Sequence, residues 1–137
     1  QAAPIASRNS THVNFTSGST IASDSIDLIS SYQTIPGMES TVYLETPQTL
    51  FISFTIYFTS EASSGYGTAR VKVVGDSETY HTPLIVKSWP STDTCTKTFL
   101  LDLPAGTYQL QAQAKSYSGE ATAAGAWTNM VWFSFSQ

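Results

Sequence analysis

The residue types that most often bind metals or act as nucleophiles are scarce in this sequence. Its two histidines, His12 and His81, are far apart and have no His, Cys or Asp partner at ligand spacing. A zinc site needs three or four convergent ligands, so we expect neither a metal centre nor a cofactor. The single cysteine, Cys95, cannot form an internal disulfide. We expect it to be half-buried in a strand, with an intermolecular bridge as the alternative.

The carboxylates are not paired in the way that acid–base catalysis requires. Most of the ten Asp and Glu residues lie in or beside turns, whereas glycoside hydrolysis needs two carboxylates at a fixed separation in a cleft. The sequence also has no Gly-x-Ser-x-Gly elbow, no phosphate-binding loop and no Cys/His pair. We therefore predict that the protein is not an enzyme. The residues leave two alternatives open, a calcium site in the turn at 75–78 and a nucleophilic serine.

Aromatic side chains are the remaining candidates, because the chain has three Trp, seven Tyr and seven Phe. Those outside the predicted core faces have two common uses, a protein interface or a platform on which a sugar ring stacks; a small cluster under a covering loop is the third interpretation. The interface is favoured because several of them lie on regular strands, where they would form an apolar patch. The oligomer-interface candidates are Tyr43, Phe51, Tyr57, Met130 and Trp132. The candidates for a ligand site in loops are Tyr66, Trp89, Tyr117 and Trp127.

The elements that would position these side chains are predicted to be strands. Between Leu50 and Thr59 the even positions are large and apolar and the odd positions mostly polar, which is the repeat of a strand with one buried face. Residues 107–117 and 129–136 alternate similarly, and in the last of these we place Met130 and Trp132 on the outer face. Turn signals recur every 8–12 residues, including one at Ile35–Met38. The pattern predicts an all-β antiparallel sandwich of jelly-roll type with eight to ten strands, and a C-terminal strand inside a sheet.

The chain is expected to hold one sandwich domain, residues 21–137, preceded by a polar arm, residues 1–20. The arm contains two Asn-x-Ser/Thr sequons, at Asn9 and Asn14, which are glycosylation candidates in a secreted chain. Val13 and Phe15 alternate with polar residues, so the arm also has the pattern of a short strand. The first residues, Gln1 to Pro4, are typical of a mature end left by cleavage, which favours a secreted protein.

The composition excludes several classes of partner. Charged residues make up 12% of the chain, about half the usual share, and Ser and Thr take their place. The net charge of −4 gives no basic stripe for nucleic acid and no polybasic patch for a membrane surface. No apolar run approaches the roughly 20 residues that span a bilayer. A hydroxyl-rich surface of this kind is typical of extracellular or surface-fibre proteins.

Three segments resemble the jelly-roll modules of the C1q and tumour-necrosis-factor-like family, which are similar to domains of phage and bacterial surface fibres. Residues 47–56 resemble a central strand with a Pro-Gly-Leu-Tyr-Tyr-Phe-Ser-Phe pattern, residues 103–110 a Gly-Asp-x-Val-x-Leu strand, and residues 130–135 a closing Phe-x-Gly-Phe strand. The glycines of the first and last patterns are missing here. The resemblance implies a compact homotrimer with aromatic side chains at the threefold contact, and recognition by exposed loops.

The sequence therefore predicts a secreted, non-enzymatic structural or recognition module. We expect it to self-associate through strand aromatics, as a homotrimer or as a fibre subunit, and strand addition by residues 10–29 is one route. A lectin-like carbohydrate-binding module is the alternative, in which a glycan is the partner.

Overall fold

The protein is described by a computed structural model that covers residues 16–123 and 127–137. Over these residues the chain forms eleven β-strands and no helix of normal length. The strands are β1 Ser17–Ile21, β2 Ile26–Asp27, β3 Gln33–Leu44, β4 Gln48–Ser60, β5 Tyr66–Val74, β6 Thr79–His81, β7 Ile85–Ser88, β8 Ser91–Leu103, β9 Gly106–Ser116, β10 Thr122–Ala123 and β11 Asn129–Ser136.

The strands form two antiparallel sheets with the hydrophobic core between them. The first sheet has the order β1-β11-β4-β10-β2, and β8 pairs with the other side of β4. The second has the order β3-β9-β5-β6, and β7 also pairs with β5. The predicted all-β antiparallel sandwich is confirmed. The strand count exceeds the predicted eight to ten because β2 and β10 are pairs of residues too short to leave a periodic pattern.

Strand β4 is the centre of the first sheet. It pairs with β8 over its whole length and with β11 over Gln48–Thr55. Its even-numbered side chains from Leu50 to Phe58 are completely buried, as their alternation predicts. Burial of each contributes about 2 kcal/mol, so the five together contribute roughly 10 kcal/mol before the loss of chain entropy. The C-terminal strand β11 lies between β1 and β4, which confirms its predicted place inside a sheet.

The segment Ile35–Met38, predicted to be a turn, lies inside β3. The pairing of β3 with β9 shifts between Thr34 and Glu39, and Gly37 has a φ of +82° at this point. A β-bulge bends a strand without ending it, and glycine accepts the positive φ at little cost. The Pro-Gly pair therefore produces a bulge, and the strand continues on both sides of it.

The two faces of β11 are the reverse of the predicted ones, so the placement of Met130 and Trp132 on the outer surface is wrong. Both are buried, with exposed fractions of 0% and 5%. They pair with Phe54 and Ile52 of β4, and directly paired side chains share a face of the sheet, so both enter the core. Gly18 of β1 pairs with Trp132, and a Cβ atom at this position would collide with the indole ring. Glycine thus provides the space that a buried tryptophan requires.

Candidate functional site

The outer surface of the first sheet carries a contiguous set of apolar side chains, which we call the aromatic face. One register row runs across three neighbouring strands and contains Phe133 of β11, Phe51 of β4 and Leu100 of β8. Val131 and Phe135 flank Phe133 on the same side of β11. Phe51, Leu100, Val131, Phe133 and Phe135 define this face.

The rings of the aromatic face pack on one another and still face solvent. Phe51 and Phe133 stack with centroids 4.7 Å apart and planes 19° from parallel, and Phe135 lies 5.9 Å from Phe133. Leu100 is 64% exposed and Phe133 39% exposed. Offset-stacked ring pairs contribute about 0.5–1.5 kcal/mol beyond the area they bury. The pair therefore holds the patch in a defined shape, although much of its surface is still in contact with water.

The surroundings of the aromatic face are hydroxyl-rich and nearly free of charge. Ser and Thr occupy most of the other outward positions, and Thr55 and Thr96 bond to each other through their hydroxyls at 2.7 Å. Among the outward positions that the structure describes on β1, β4, β8 and β11, Asp102 is the one charged residue, and its carboxylate accepts a 2.6 Å bond from Thr49. An uncharged rim removes the main desolvation cost of covering such a surface.

A second aromatic pair lies toward the other end of β4. Tyr57 faces outward and meets Trp127 edge to face, with centroids 6.3 Å apart, and Trp127 is 62% exposed. The adjacent Thr128 hydroxyl accepts a 3.1 Å bond from the Tyr57 backbone N–H. The pair extends the aromatic side chains of the first sheet toward its β10 end.

The structure separates the predicted interface residues into three places. Phe51 and Tyr57 lie on the outer side of the first sheet, as predicted. Met130 and Trp132 lie in the core. Tyr43 is 64% exposed but belongs to β3, on the outer side of the second sheet, so it does not adjoin Phe51. Sequence reasoning missed Phe133 and Phe135, because both faces of β11 are apolar and alternation alone does not say which one is buried.

The four loop candidates do not form one site. Trp89 is a core residue, which corrects the prediction: it packs edge to face on Phe58 at 5.4 Å and donates its indole N–H to the Ser118 carbonyl at 2.8 Å. Trp127 lies with Tyr57. Tyr66 and Tyr117, which are 40% and 43% exposed, stack on each other with centroids 4.6 Å apart.

The remaining predictions concern the sequons, the cysteine, metal ligands and membrane spans. The sequons at Asn9 and Asn14 lie outside the described residues. Cys95 is half-buried on β8, and burial raises the pKa of its thiol, so the reactive thiolate is scarce at neutral pH. Over the described part of the chain, no three His, Cys, Asp or Glu side chains come together as metal ligands would. No helix there is long and apolar enough to cross a membrane.

A cleft of about 900 Å³ lies at the end of the sandwich where β2, β4 and β10 meet. Its lining includes three acidic residues, Asp27, Glu61 and Glu120, with several threonine and serine hydroxyls. Of the described residues that line it, none is a histidine, a cysteine or a basic residue. The described lining therefore presents mainly carboxylate and hydroxyl oxygens.

Comparison with known proteins gives likenesses of fold. No family model matches the sequence, and no curated protein matches it. Among solved structures, Eiger TNF from S. frugiperda is similar with a TM-score of 0.60 and 8% identity, over 90% of this chain and 94% of that one. Murine APRIL has a TM-score of 0.60 and 7% identity, over 88% of this chain and 98% of that one.

A third similar structure is the VP2 subviral particle of infectious bursal disease virus. Its TM-score is 0.53 and its identity 11%, over 91% of this chain and 33% of that one. At such low identity these likenesses establish architecture. The predicted jelly-roll type, and the resemblance in fold to tumour-necrosis-factor-like modules, are confirmed.

Proposed function

We propose that this protein is a non-enzymatic structural or recognition module that associates with copies of itself through the aromatic face. The observation that carries the proposal is the row Leu100–Phe51–Phe133, in which apolar side chains of three adjacent strands lie side by side in solvent. Exposed apolar patches on regular strands are characteristic of surfaces that another molecule covers.

A second copy of the chain is the occupant that fits this surface best. Interface centres are depleted in charge and enriched in aromatic side chains, and the aromatic face has both properties. It also lies on the regular strands β4, β8 and β11, which hold its side chains at fixed spacings. A self-complementary contact requires no opposite charge on the partner, and this surface offers only Asp102 at its margin.

The similar structures support assembly as an expectation. VP2 was solved as a subviral particle, and the resemblance to tumour-necrosis-factor-like modules implies a homotrimer. We therefore propose a homotrimer or a fibre subunit. The hydroxyl-rich, weakly charged composition supports an extracellular or surface location, in which the sequons at Asn9 and Asn14 would be glycosylated.

The test is the molar mass of the protein in solution, measured by size-exclusion chromatography with light scattering. The chain alone has a mass of 14.8 kDa, and we expect the wild type to elute at a multiple of it. Phe133→Lys places a charge in the centre of the aromatic face and should shift the protein to the monomer. Tyr43→Lys is the matched control: Tyr43 is at least as exposed but lies on the opposite sheet, so this variant should keep the wild-type mass.

The outcomes separate the proposal from its alternatives. A wild type that is monomeric at millimolar concentration contradicts self-association. An oligomer that survives Phe133→Lys contradicts the aromatic face as its contact and favours strand exchange by residues 10–29, in which β1 would leave its place beside β11. Far-UV circular dichroism of each variant checks that the sandwich is intact.

A further inference from the structure

The outer surface of the second sheet carries three basic side chains that form no ion pair with a carboxylate among the described residues. Arg70 and Lys72 of β5 and Lys115 of β9 all face outward there, and they are half of the six Lys and Arg residues of a chain whose net charge is −4. The one ion pair found in the described part of the chain joins Lys87 to Asp93, and neither of these residues belongs to this surface. We call Arg70, Lys72 and Lys115 the basic face.

Two of these cations belong to a column in which cations and tyrosine rings alternate. The Arg70 guanidinium lies 3.9 Å from the centroid of the Tyr32 ring, and the Lys115 ammonium lies 4.6 Å from the same centroid. The Lys115 ammonium is also 4.2 Å from the centroid of Tyr117, whose ring stacks on Tyr66 at 4.6 Å. The column therefore runs Arg70, Tyr32, Lys115, Tyr117, Tyr66.

Hydrogen bonds to the sheet hold the column in place. Arg70 donates its Nε–H to the Gln113 side-chain oxygen at 3.1 Å, which fixes the guanidinium. Among the described residues, no hydrogen bond occupies its terminal nitrogens. The Tyr32 hydroxyl bonds to the Thr68 hydroxyl at 2.8 Å. Side chains that are ordered before a ligand arrives lose less conformational entropy when they bind it.

The charge of the column is not neutralised by its surroundings. Aromatic rings attract a cation without cancelling its charge. Glu39, the acidic side chain nearest in register, accepts a 3.1 Å bond from Gln111 and is separated by that residue from Lys72 in the same row. The positive potential also acts on its neighbours: the Lys115 hydrogen bond lowers the pKa of Tyr117, and desolvation together with Arg70 and Lys72 lowers the pKa of His81.

We propose that the basic face binds an acidic saccharide, with Arg70 and Lys115 holding its carboxylate or sulfate groups and the exposed part of the Tyr66–Tyr117 stack contacting a sugar ring. Arginine and lysine recognise such anions through charge-assisted hydrogen bonds. The adjacent tyrosine rings and side-chain amides suit the C–H and hydroxyl groups of the same ligand.

A saccharide is favoured over a nucleic acid by the distribution of charge. Three cations are enough for one or two anionic groups, but the net charge of −4 over the whole chain opposes a long polyphosphate. The basic face is also on the opposite sheet from the aromatic face. Saccharide binding and self-association are therefore independent, and either can fail without the other.

The experiment compares two probes with the same sugar backbone, one with free carboxylates and one with its carboxylates masked as neutral methyl esters. Isothermal titration of the full chain with tetragalacturonate should give saturable binding, whereas its methyl-esterified form should bind at least tenfold more weakly. Equal binding of both probes, or binding of neither tetragalacturonate nor a sulfated tetrasaccharide, would overturn the proposal. Equal or tighter binding of a tetradeoxynucleotide would overturn the assignment to saccharides.

Variants locate the site. Arg70→Gln and Lys115→Gln should each weaken tetragalacturonate binding about tenfold, as expected for loss of one charge-assisted contact. Lys97→Gln is the matched control, because Lys97 is an exposed lysine on β8 of the first sheet. The Lys97→Gln variant should bind the probe as tightly as the wild type does. A loss with Lys97→Gln equal to that with Lys115→Gln would show nonspecific attraction and contradict the site.

Discussion

The two outer surfaces of this sandwich differ in the chemistry of their side chains. The aromatic face on the first sheet presents five apolar side chains among hydroxyls, with Asp102 as its one charge. The basic face on the second sheet presents three cations among tyrosines and glutamines. Both surfaces lie on regular strands, so strand geometry does not explain the difference. The difference lies in the side chains that each sheet turns away from the core, and from it we propose a copy of the chain as the partner of one surface and an anionic ligand as the partner of the other.

The comparison depends on which side of β11 faces the core, and substitution of two adjacent residues tests this most strongly. Trp132→Ala removes a buried indole and should cost about 3–5 kcal/mol of the free energy of unfolding. Phe133→Ala removes an exposed ring and should cost about 1 kcal/mol, mainly its stack on Phe51. Urea denaturation measures both values, at a protein concentration low enough that the wild type is monomeric and association adds nothing to the free energy of unfolding. Similar losses for the two, or a larger loss for Phe133→Ala, would contradict the orientation of β11.

An intermediate effect is expected at the residue that gives Trp132 its space. A methyl group at position 18 would collide with the indole ring, so Gly18→Ala should destabilise the fold by about 1–3 kcal/mol, the usual cost of overpacking. Ser19→Ala on the same strand, at an exposed position, is the control and should change stability by less than about 0.5 kcal/mol. The measurement is again the free energy of unfolding in urea. A neutral Gly18→Ala would mean that Trp132 does not pack against β1.

The smallest effect on stability is expected when the ion pair between Lys87 and Asp93 is removed. The hydrogen bond from Lys87 holds the pKa of Asp93 below its ordinary value, and Asp93 in turn raises the pKa of Lys87. A depressed carboxyl pKa adds stability above the ordinary pKa of Asp, and this stability is lost as the pH falls through the folded-state value. Asp93→Asn should therefore lower Tm by no more than about 2 °C at neutral pH, because the pair is exposed. Thermal denaturation across the acid range should show the wild type and the variant converging, and a difference that grows in acid would contradict this sign.

The sequence predicts the sandwich well because the alternation in β4 shows clearly which of its faces is buried. In β4 one set of alternate positions is apolar and the other mostly polar, so the same pattern identifies both the strand and its buried face. In β11 both sets are apolar, and the choice between Trp132 and Phe133 depends on the register with β4 and on Gly18, which are contacts distant in sequence. Trp89 was predicted in a loop, but the loop is only Trp89 and Pro90 between β7 and β8, and its indole turns inward.

The site was less predictable than the fold for the same physical reason. Phe51 was identified because it interrupts a polar face, whereas its partner Phe133 is defined only by cross-strand pairing. The column of the basic face joins Tyr32, Lys115 and Arg70 from three segments of the chain. No periodic pattern within one strand contains that arrangement, so it becomes visible only when β5 and β9 are side by side.

Self-association through the aromatic face can be tested by hydroxyl-radical footprinting at low and high protein concentration, because one sample reports the oxidation of aromatic side chains on both surfaces. We expect Phe51, Phe133 and Phe135 to become protected from oxidation as the concentration rises, while Tyr43, Tyr66 and Tyr117 keep a constant rate of oxidation. Protection of the tyrosines of the second sheet with unchanged oxidation of Phe133 would contradict it.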